Sequence, residues 1–183
     1  MSPRIDQNAL QKKLVSHLQF LRGVQGGQRL ILKLHDAADL IFAKRNLSWA
    51  EMVGSDLSGC IFLNSSMVGI SLFGANLEGA DLRGADLYRS DLRGINLRKA
   101  NLEAANLAEA DIRDGRLFVQ SENGSYEPVG DGVSRIDDAV LARANLQSAR
   151  LGNAIGPRTD LSGANLRHAN LVNANLSESD LSG

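Results

Sequence analysis

Aromatic residues make up only 4% of the chain, too few to fill a conventional globular core. Together with 18 glycines, this scarcity favours a narrow interior lined by aliphatic side chains. A single cysteine, Cys60, rules out a disulfide framework within one chain and fits a reducing compartment. No apolar run approaches the roughly 20 residues that a membrane-spanning helix needs. The first ten residues, MSPRIDQNAL, lack the apolar centre of a signal peptide, so a cytoplasmic location is expected. Catalytic signatures are missing as well. There is no Ser–His–Asp or Cys–His arrangement, no phosphate loop and no zinc spacing. His17, His35 and His168 are far apart in the sequence, and no carboxylate–histidine spacing recurs, so His35 is not expected to ligate a metal. Neither an enzyme nor a cofactor or metal site is expected.

What the chain does contain is a repeat. From Ala75 it reads ANLEG, ADLRG, ADLYR, SDLRG, INLRK, ANLEA, ANLAE and ADIRD. A small residue, an Asp or Asn, a Leu and two variable residues recur every five positions. Taking the Leu as the centre, centres fall at Leu77, Leu82, Leu87, Leu92, Leu97, Leu102, Leu107 and Ile112; the register extends back through Leu72, Met67, Phe62, Leu57, Met52 and Leu47. A helix needs apolar spacings of three, four and seven, and a flat strand needs alternation by two. A period of five suits a chain that turns a corner once per repeat with its centre always pointing inward. Glycines at the last repeat position, such as Gly79 and Gly84, supply the backbone freedom that corners require.

These motifs closely resemble the pentapeptide-repeat family, whose consensus is A(D/N)LXX, over about two thirds of the chain. The resemblance implies an all-β fold: a right-handed parallel β-helix of square cross-section, with four pentapeptides per coil. Residues twenty apart are then stacked at the strand separation of about 4.8 Å. Arg83 is expected to stack under Glu103, while Asp91 and Asp111 form a charge checkerboard with Arg93 and Arg113.

Ahead of the repeats, residues from about Asp6 to Arg22 read as an amphipathic helix with Asp6 as N-cap; Leu10, Leu14, Leu18 and Leu21 form its inner face, and Gly23, Gly26 and Gly27 end it. Solenoid ends need a cap, and residues 1–29 are assigned that role. Residues 30–44 fit the register poorly, with His35 at a small inward position, and are read as a degenerate first coil. Fifteen pentapeptides are counted from Arg45 to Val119. Residues 120–138, polar and Gly-rich with Pro128, are read as a protruding loop; Leu117 and Leu141 lie 24 apart, so the solenoid is not expected to run through in register. Nine further repeats occupy 139–183. In one of them Gly156 takes the centre and Pro157 follows, where a bulge or kink is expected. The last repeat, SDLSG, runs to the final residue, which points either to a longer solenoid or to a homodimer through the uncapped C-terminal coil.

Net charge is −1, divided between a basic N-terminal part (seven Lys or Arg against three Asp in residues 1–44) and an acidic remainder. The Asp and Asn before the centres read as a solvated consensus position; a uniform row does not supply the distinct environments of acid–base pairs. Nucleic-acid binding is not expected, because Arg83, Tyr88, Arg89, Arg93, Arg98 and Lys99 spread over at least three sides and alternate with Asp81, Asp86 and Asp91. The function expected is a non-enzymatic scaffold presenting flat faces to a protein partner, with Phe73, Tyr88, Arg89, Phe118 and the loop residue Tyr126 as candidate contacts. The alternative is suggested by the family resemblance: a DNA-mimic protein that binds a type II topoisomerase, as in quinolone protection. The mild acidity and the arginines across the faces weaken it.

Overall fold

The computed structural model describes residues 2–183, and in it the five-residue period becomes a right-handed quadrilateral β-helix. Each repeat contributes one bridging residue, the position before the centre, to a parallel ladder on one of four sides. One side runs Asp36, Asp56, Asn76, Asn96, Arg135, Ile155 and Asn175; the other three begin at Ile31, Ile41 and Asn46. Together they make six complete coils and three sides of a seventh.

The repeat Asp81–Ala85 shows why these residue types recur. Asp81 N–H donates to the Cys60 carbonyl of the coil below (2.9 Å), and Leu82 N–H to the Asn101 carbonyl of the coil above (2.7 Å). Gly84 N–H donates to Glu103 (3.0 Å), and Ala85 N–H closes a turn onto Leu82 (3.0 Å). That leaves the N–H of Arg83, which no main-chain oxygen reaches. The Asp81 carboxylate accepts it at 3.2 Å. The same contact recurs wherever Asp or Asn occupies the bridging position, from Asp36 to Asp180. The consensus polar residue therefore completes the backbone hydrogen-bonding of its own turn. The corner residue adopts positive φ, as a type II turn demands: Gly79 and Gly84 do so without strain, while Lys99, Ala104 and Glu109 do so at φ 58°, 55° and 58°.

Inside, the centres Leu82, Leu87, Leu92, Leu97, Leu102 and Leu107 are all buried, with Ala80, Ala85, Ala100 and Ala105 beside them. Burying each Leu contributes about 1.5–3 kcal/mol. The first coils use bulkier centres, where Phe42 stacks on Phe62 with ring centroids 4.7 Å apart. Several polar residues at the small position donate to the centre below, Ser90 to the Met67 carbonyl (3.0 Å), Thr159 to Ile136 (2.8 Å) and Cys60 to Ala37 (3.0 Å), whereas the buried Ser65 hydroxyl has no partner among the described residues. Cys60 is fully buried, and that burial pushes its thiol up to about 12, away from the thiolate form.

Helix α1 (Gln7–Leu21) starts at Asp6, whose carboxylate accepts the Ala9 N–H at 2.7 Å. Its inner face is Leu10, Leu14 and His17; Leu18, expected inside, is exposed. The spacing 10, 14, 17 follows the helical period as well as 10, 14, 18 does, and packing selected the histidine. Before the helix, Pro3–Ile5 pairs with Asp36 like one more coil (Ile5 N–H to Asp36 O 2.9 Å, Asp36 N–H to Pro3 O 3.0 Å). On the next side the Gln7 side-chain amide stands in for a strand, accepting the Ile41 N–H (2.9 Å) and donating to the Ile41 carbonyl (3.1 Å). Residues 30–44 form a true coil, bridged at Ile31, Asp36 and Ile41 to the one above. His35 is half-buried there, its Nδ1 2.8 Å from the Lys33 carbonyl.

Three expectations are corrected. The first run of repeats ends at the Ile112 centre, not at Val119, and repeats resume with Ile136 as centre, before Ala139. Residues 117–129 form an antiparallel hairpin, β1 (Leu117–Gln120) and β2 (Tyr126–Val129), so Leu117 is a hairpin residue. Second, the solenoid does run through: Asn96, Asn101, Asn106 and Asp111 pair with Arg135, Val140, Asn145 and Arg150, a spacing of 39 in place of 20. The insertion leaves and re-enters at one corner, so its length need not be a multiple of five. Third, no break occurs at Pro157. Gly156 N–H keeps its bond to Asn175 (2.8 Å), and Pro157 occupies the one position whose N–H the ladder does not use. The Ile136 side chain fills the space left by Gly156.

The strained corners give a direct prediction. Ala104 is exposed at φ 55°, so Ala104→Gly is expected to stabilise by about 0.5–1 kcal/mol and raise Tm by about 2–4 °C, read by thermal unfolding. A fall in Tm would place the corner elsewhere.

Candidate functional site

The surface of a regular solenoid repeats itself, and the hairpin is the largest departure from it. Its seat is a column of glycines at the corner between the Ile31 and Asp36 sides. A Cβ on Gly94 would lie 2.1 Å from the Gly115 carbonyl oxygen, and one on Gly74 3.2 Å from the Leu117 Cβ, so the returning chain can lie directly on this corner. Leu117 reaches down to Gly54. Ser134 closes the base: its hydroxyl donates to the Arg113 carbonyl (2.8 Å) and accepts the Gly94 N–H (2.9 Å), while its own N–H donates to Asp114 (3.0 Å).

Strand alternation sorts the hairpin into two faces. Leu117, Val119 and Val129 are half-buried toward the solenoid. Phe118, Gln120, Tyr126 and Pro128 point away, paired Phe118 with Pro128 and Gln120 with Tyr126. Phe118 is 51% and Tyr126 68% exposed, so the hairpin presents an apolar outward face; Trp49, Ile41 and Val172 are exposed elsewhere on the solenoid and Val15 on the helix. Beneath, between the Asp36 side and residues 129–135, runs a groove of about 610 Å³. Asp56, Asn76, Asn96, Arg98, Asp131 and Arg135 line it. Both of its arginines are paired, Arg135 with Asp131 at 2.9 Å and Arg98 with Glu78 at 3.4 Å, while Asp56 has no cationic partner among the described residues and accepts from Ser58 and Asn76. Asn96 donates to Asn76 (2.8 Å) and Asn76 to Asp56 (3.0 Å), so the wall is a saturated amide ladder. The Arg135 guanidinium, with the Val133 N–H, holds Asp131 below the usual carboxylate range. Nothing in this arrangement provides a poised acid, base or nucleophile.

The residues singled out from the sequence fall into two groups. Phe118 and Tyr126 share the outer hairpin face. Phe73, Tyr88 and Arg89 do not join them. Phe73 is half-buried beneath Gly115 with the Arg93 guanidinium 5.0 Å over its ring, and serves as a footing for the hairpin. Tyr88 and Arg89 lie on another side, at the Asn46 ladder and its corner, where both bond Glu109 (3.0 and 2.7 Å) and Arg89 covers the Tyr88 ring at 4.9 Å. Those two groups, Arg89 first, hold Glu109 below its ordinary range. The expected checkerboard is present, with Arg93 on Asp91 (2.8 Å) and Arg113 on Asp111 (2.7 Å). Arg83 instead pairs with Asp81 in its own repeat (2.7 Å), and Glu103 pairs with Arg143. Sequence reasoning missed Pro128, Ser134 and the glycine column; the glycines at 20-residue spacing, Gly54, Gly74 and Gly94, were the available signal.

Among the described residues no helix is long and apolar enough to cross a membrane, and no group of His, Cys, Asp or Glu is arranged to hold a metal ion. No curated protein sequence matches this one. Among solved structures, a trypsin-treated form of QnrB1, a plasmid-mediated fluoroquinolone resistance protein, superimposes with a TM-score of 0.65 at 19% identity, over 83% of this chain and 68% of that one. A pentapeptide repeat protein of the Arabidopsis thaliana thylakoid lumen matches at 28% identity and a TM-score of 0.47, over 60% of this chain and 63% of that one. HetL from Nostoc sp. strain PCC 7120 matches at 21% identity and a TM-score of 0.36, over 96% of each chain. The sequence profile described as "Pentapeptide repeats" matches eight copies, across residues 50–89, 85–117 and 144–183. The chain thus belongs to the pentapeptide repeat family.

Proposed function

We propose that this protein is a non-enzymatic binding module in which the β-helix holds the β1–β2 hairpin rigidly against one corner and a protein partner docks on its outer face. The observation that carries this reading is the exposure of Phe118 and Tyr126 beside Pro128, on a hairpin seated by a glycine column. Aromatic side chains in such a position are the usual anchors of protein–protein contacts. The groove behind the hairpin is polar, its arginines are already paired and Asp56 is held by Ser58 and Asn76, which favours a surface contact over a buried small ligand.

The DNA-mimic alternative asks for an unbroken acidic face. Here Asp91, Asp111 and Asp138 are each paired with an arginine, and likeness to QnrB1 at 19% identity speaks to fold alone. Micromolar protein is accordingly expected to leave gyrase supercoiling unchanged. The homodimer is kept as a second part of the proposal, with Leu181, 55% exposed, as a candidate contact. A solution mass of twice 19.6 kDa supports it, and a monomer mass across micromolar concentrations counts against it.

For the hairpin, Phe118→Ser combined with Tyr126→Ser is expected to abolish capture of a partner from native cytosol while leaving Tm within about 2 °C of wild type, since both side chains are exposed. Undiminished capture by the double variant would remove the hairpin from the function.

A further inference from the structure

His17 is fully buried in the N-terminal cap, and the binding role proposed above makes no use of it. Its Nδ1 accepts the main-chain N–H of Leu30 at 3.1 Å, where the chain enters the first coil. That bond requires an unprotonated Nδ1 and places the ring's proton on Nε2. Nε2 is itself buried without a well-formed hydrogen bond among the described residues; the nearby Ser48 main chain favours the charged ring, but burial outweighs it. The ring stacks on Phe20 of the same helix (centroids 5.9 Å apart).

The charged groups around the ring offer it no counter-ion. Arg29, on the segment leading into the first coil, disfavours a second positive charge. Glu51 of the next coil is occupied by Arg29 and Lys33. On α1 itself Lys13 is exposed one turn earlier, and beside the helix Arg45 contacts Gln11 at 3.4 Å. A proton added to Nδ1 would point at the Leu30 N–H, donor against donor, and would leave a buried cation unpaired.

We propose that His17 is an acid-sensitive latch on the cap: protonation breaks the His17–Leu30 bond, releases α1 from the first coil and uncovers the edge that the cap protects. The uncovered elements are the Leu10 and Leu14 contacts with the core and the Ile41 ladder groups now bonded by Gln7. An opened edge of this kind is a template for strand pairing with another chain.

The sign follows from the burial of the neutral ring. Burial, reinforced by Arg29, lowers the His17 pKa in the closed state from its ordinary value of 6.5. The open state therefore takes up the proton first, so the closed cap is fully favoured above pH about 6.5 and loses stability as pH falls from there toward the lowered value. Within that window the open-to-closed ratio rises up to about tenfold per pH unit.

The test is amide hydrogen exchange of the full chain between pH 7.5 and 5.5, as protection factors corrected for intrinsic rates. Leu30 and Ile41 are expected to lose protection below pH about 6.5, by up to about tenfold per unit, while Leu82 and Leu92 keep theirs. In His17→Gln, whose side-chain oxygen can accept the same N–H without titrating, protection at Leu30 is expected to be independent of pH. Should His17→Gln fail to fold, the wild-type ring still decides: its NMR titration, with His35→Gln and His168→Gln used to assign the other two histidines, is expected to have its midpoint below 6.5. A midpoint at or above 6.5, or Leu30 protection unchanged across the range in wild type, would overturn the proposal.

Discussion

The constraint on which this structure depends is the accounting of five main-chain N–H groups per repeat. Three are taken by the neighbouring coils and one by the repeat's own turn. The fifth has no main-chain acceptor. Asp or Asn at the bridging position supplies it from the side chain wherever one is present, which accounts for the consensus preference; bridging residues such as Ile41, Ile61 and Val140 supply no such acceptor. The Leu column adds the hydrophobic driving force, and the period of five is kept by the main-chain ladder with one positive-φ corner per side, the Asp and Asn side chains completing it where they occur. Where the acceptor is missing, the demand can be removed instead: Ile155 carries no oxygen, and Pro157, two residues on, carries no N–H.

A lattice built this way has little capacity for chemistry. Its carboxylates are spent on turn amides and on neighbouring arginines, and its one thiol is sealed inside. Function is therefore sought where the lattice is broken. The hairpin and the N-terminal cap are the two breaks. Each is attached by side chains that imitate the ladder: Ser134 at the base of the hairpin, and Gln7 and His17 under the first coil. The hairpin presents apolar surface outward, and the cap conceals an edge.

Much of this was legible in the sequence. The inward positions from Leu47 to Ile112, the helix with its Asp6 cap and the existence of an insertion all follow from spacing and residue type. The limits of the insertion did not, because Arg135 replaces the Asp or Asn that marks a repeat, and Leu117 happens to fall five residues after Ile112. Period alone cannot distinguish a centre from a hairpin residue at the same interval. Spacing does not separate His17 from Leu18 on the helix face, because both follow the helical period, and the Leu30 N–H is what draws His17 inside. Of the candidate contacts, Phe118 and Tyr126 lie together on one face. Residue type alone marks Phe73, Tyr88 and Arg89, and nothing in the spacing signals that Arg93 and Glu109 engage them.

The uninterrupted ladder across the insertion is the claim most open to direct measurement. In a Cys60→Ala background, Asn101→Cys with Val140→Cys puts two thiols on bridged residues 39 apart in sequence, at a Cα separation of about 4.8 Å, suited to a disulfide. Mild oxidation should link this pair readily, and should leave Asn101→Cys with Ser121→Cys unlinked. Efficient linkage of the second pair and none of the first would mean that the coils stack at 20 residues through the insertion, contradicting the account.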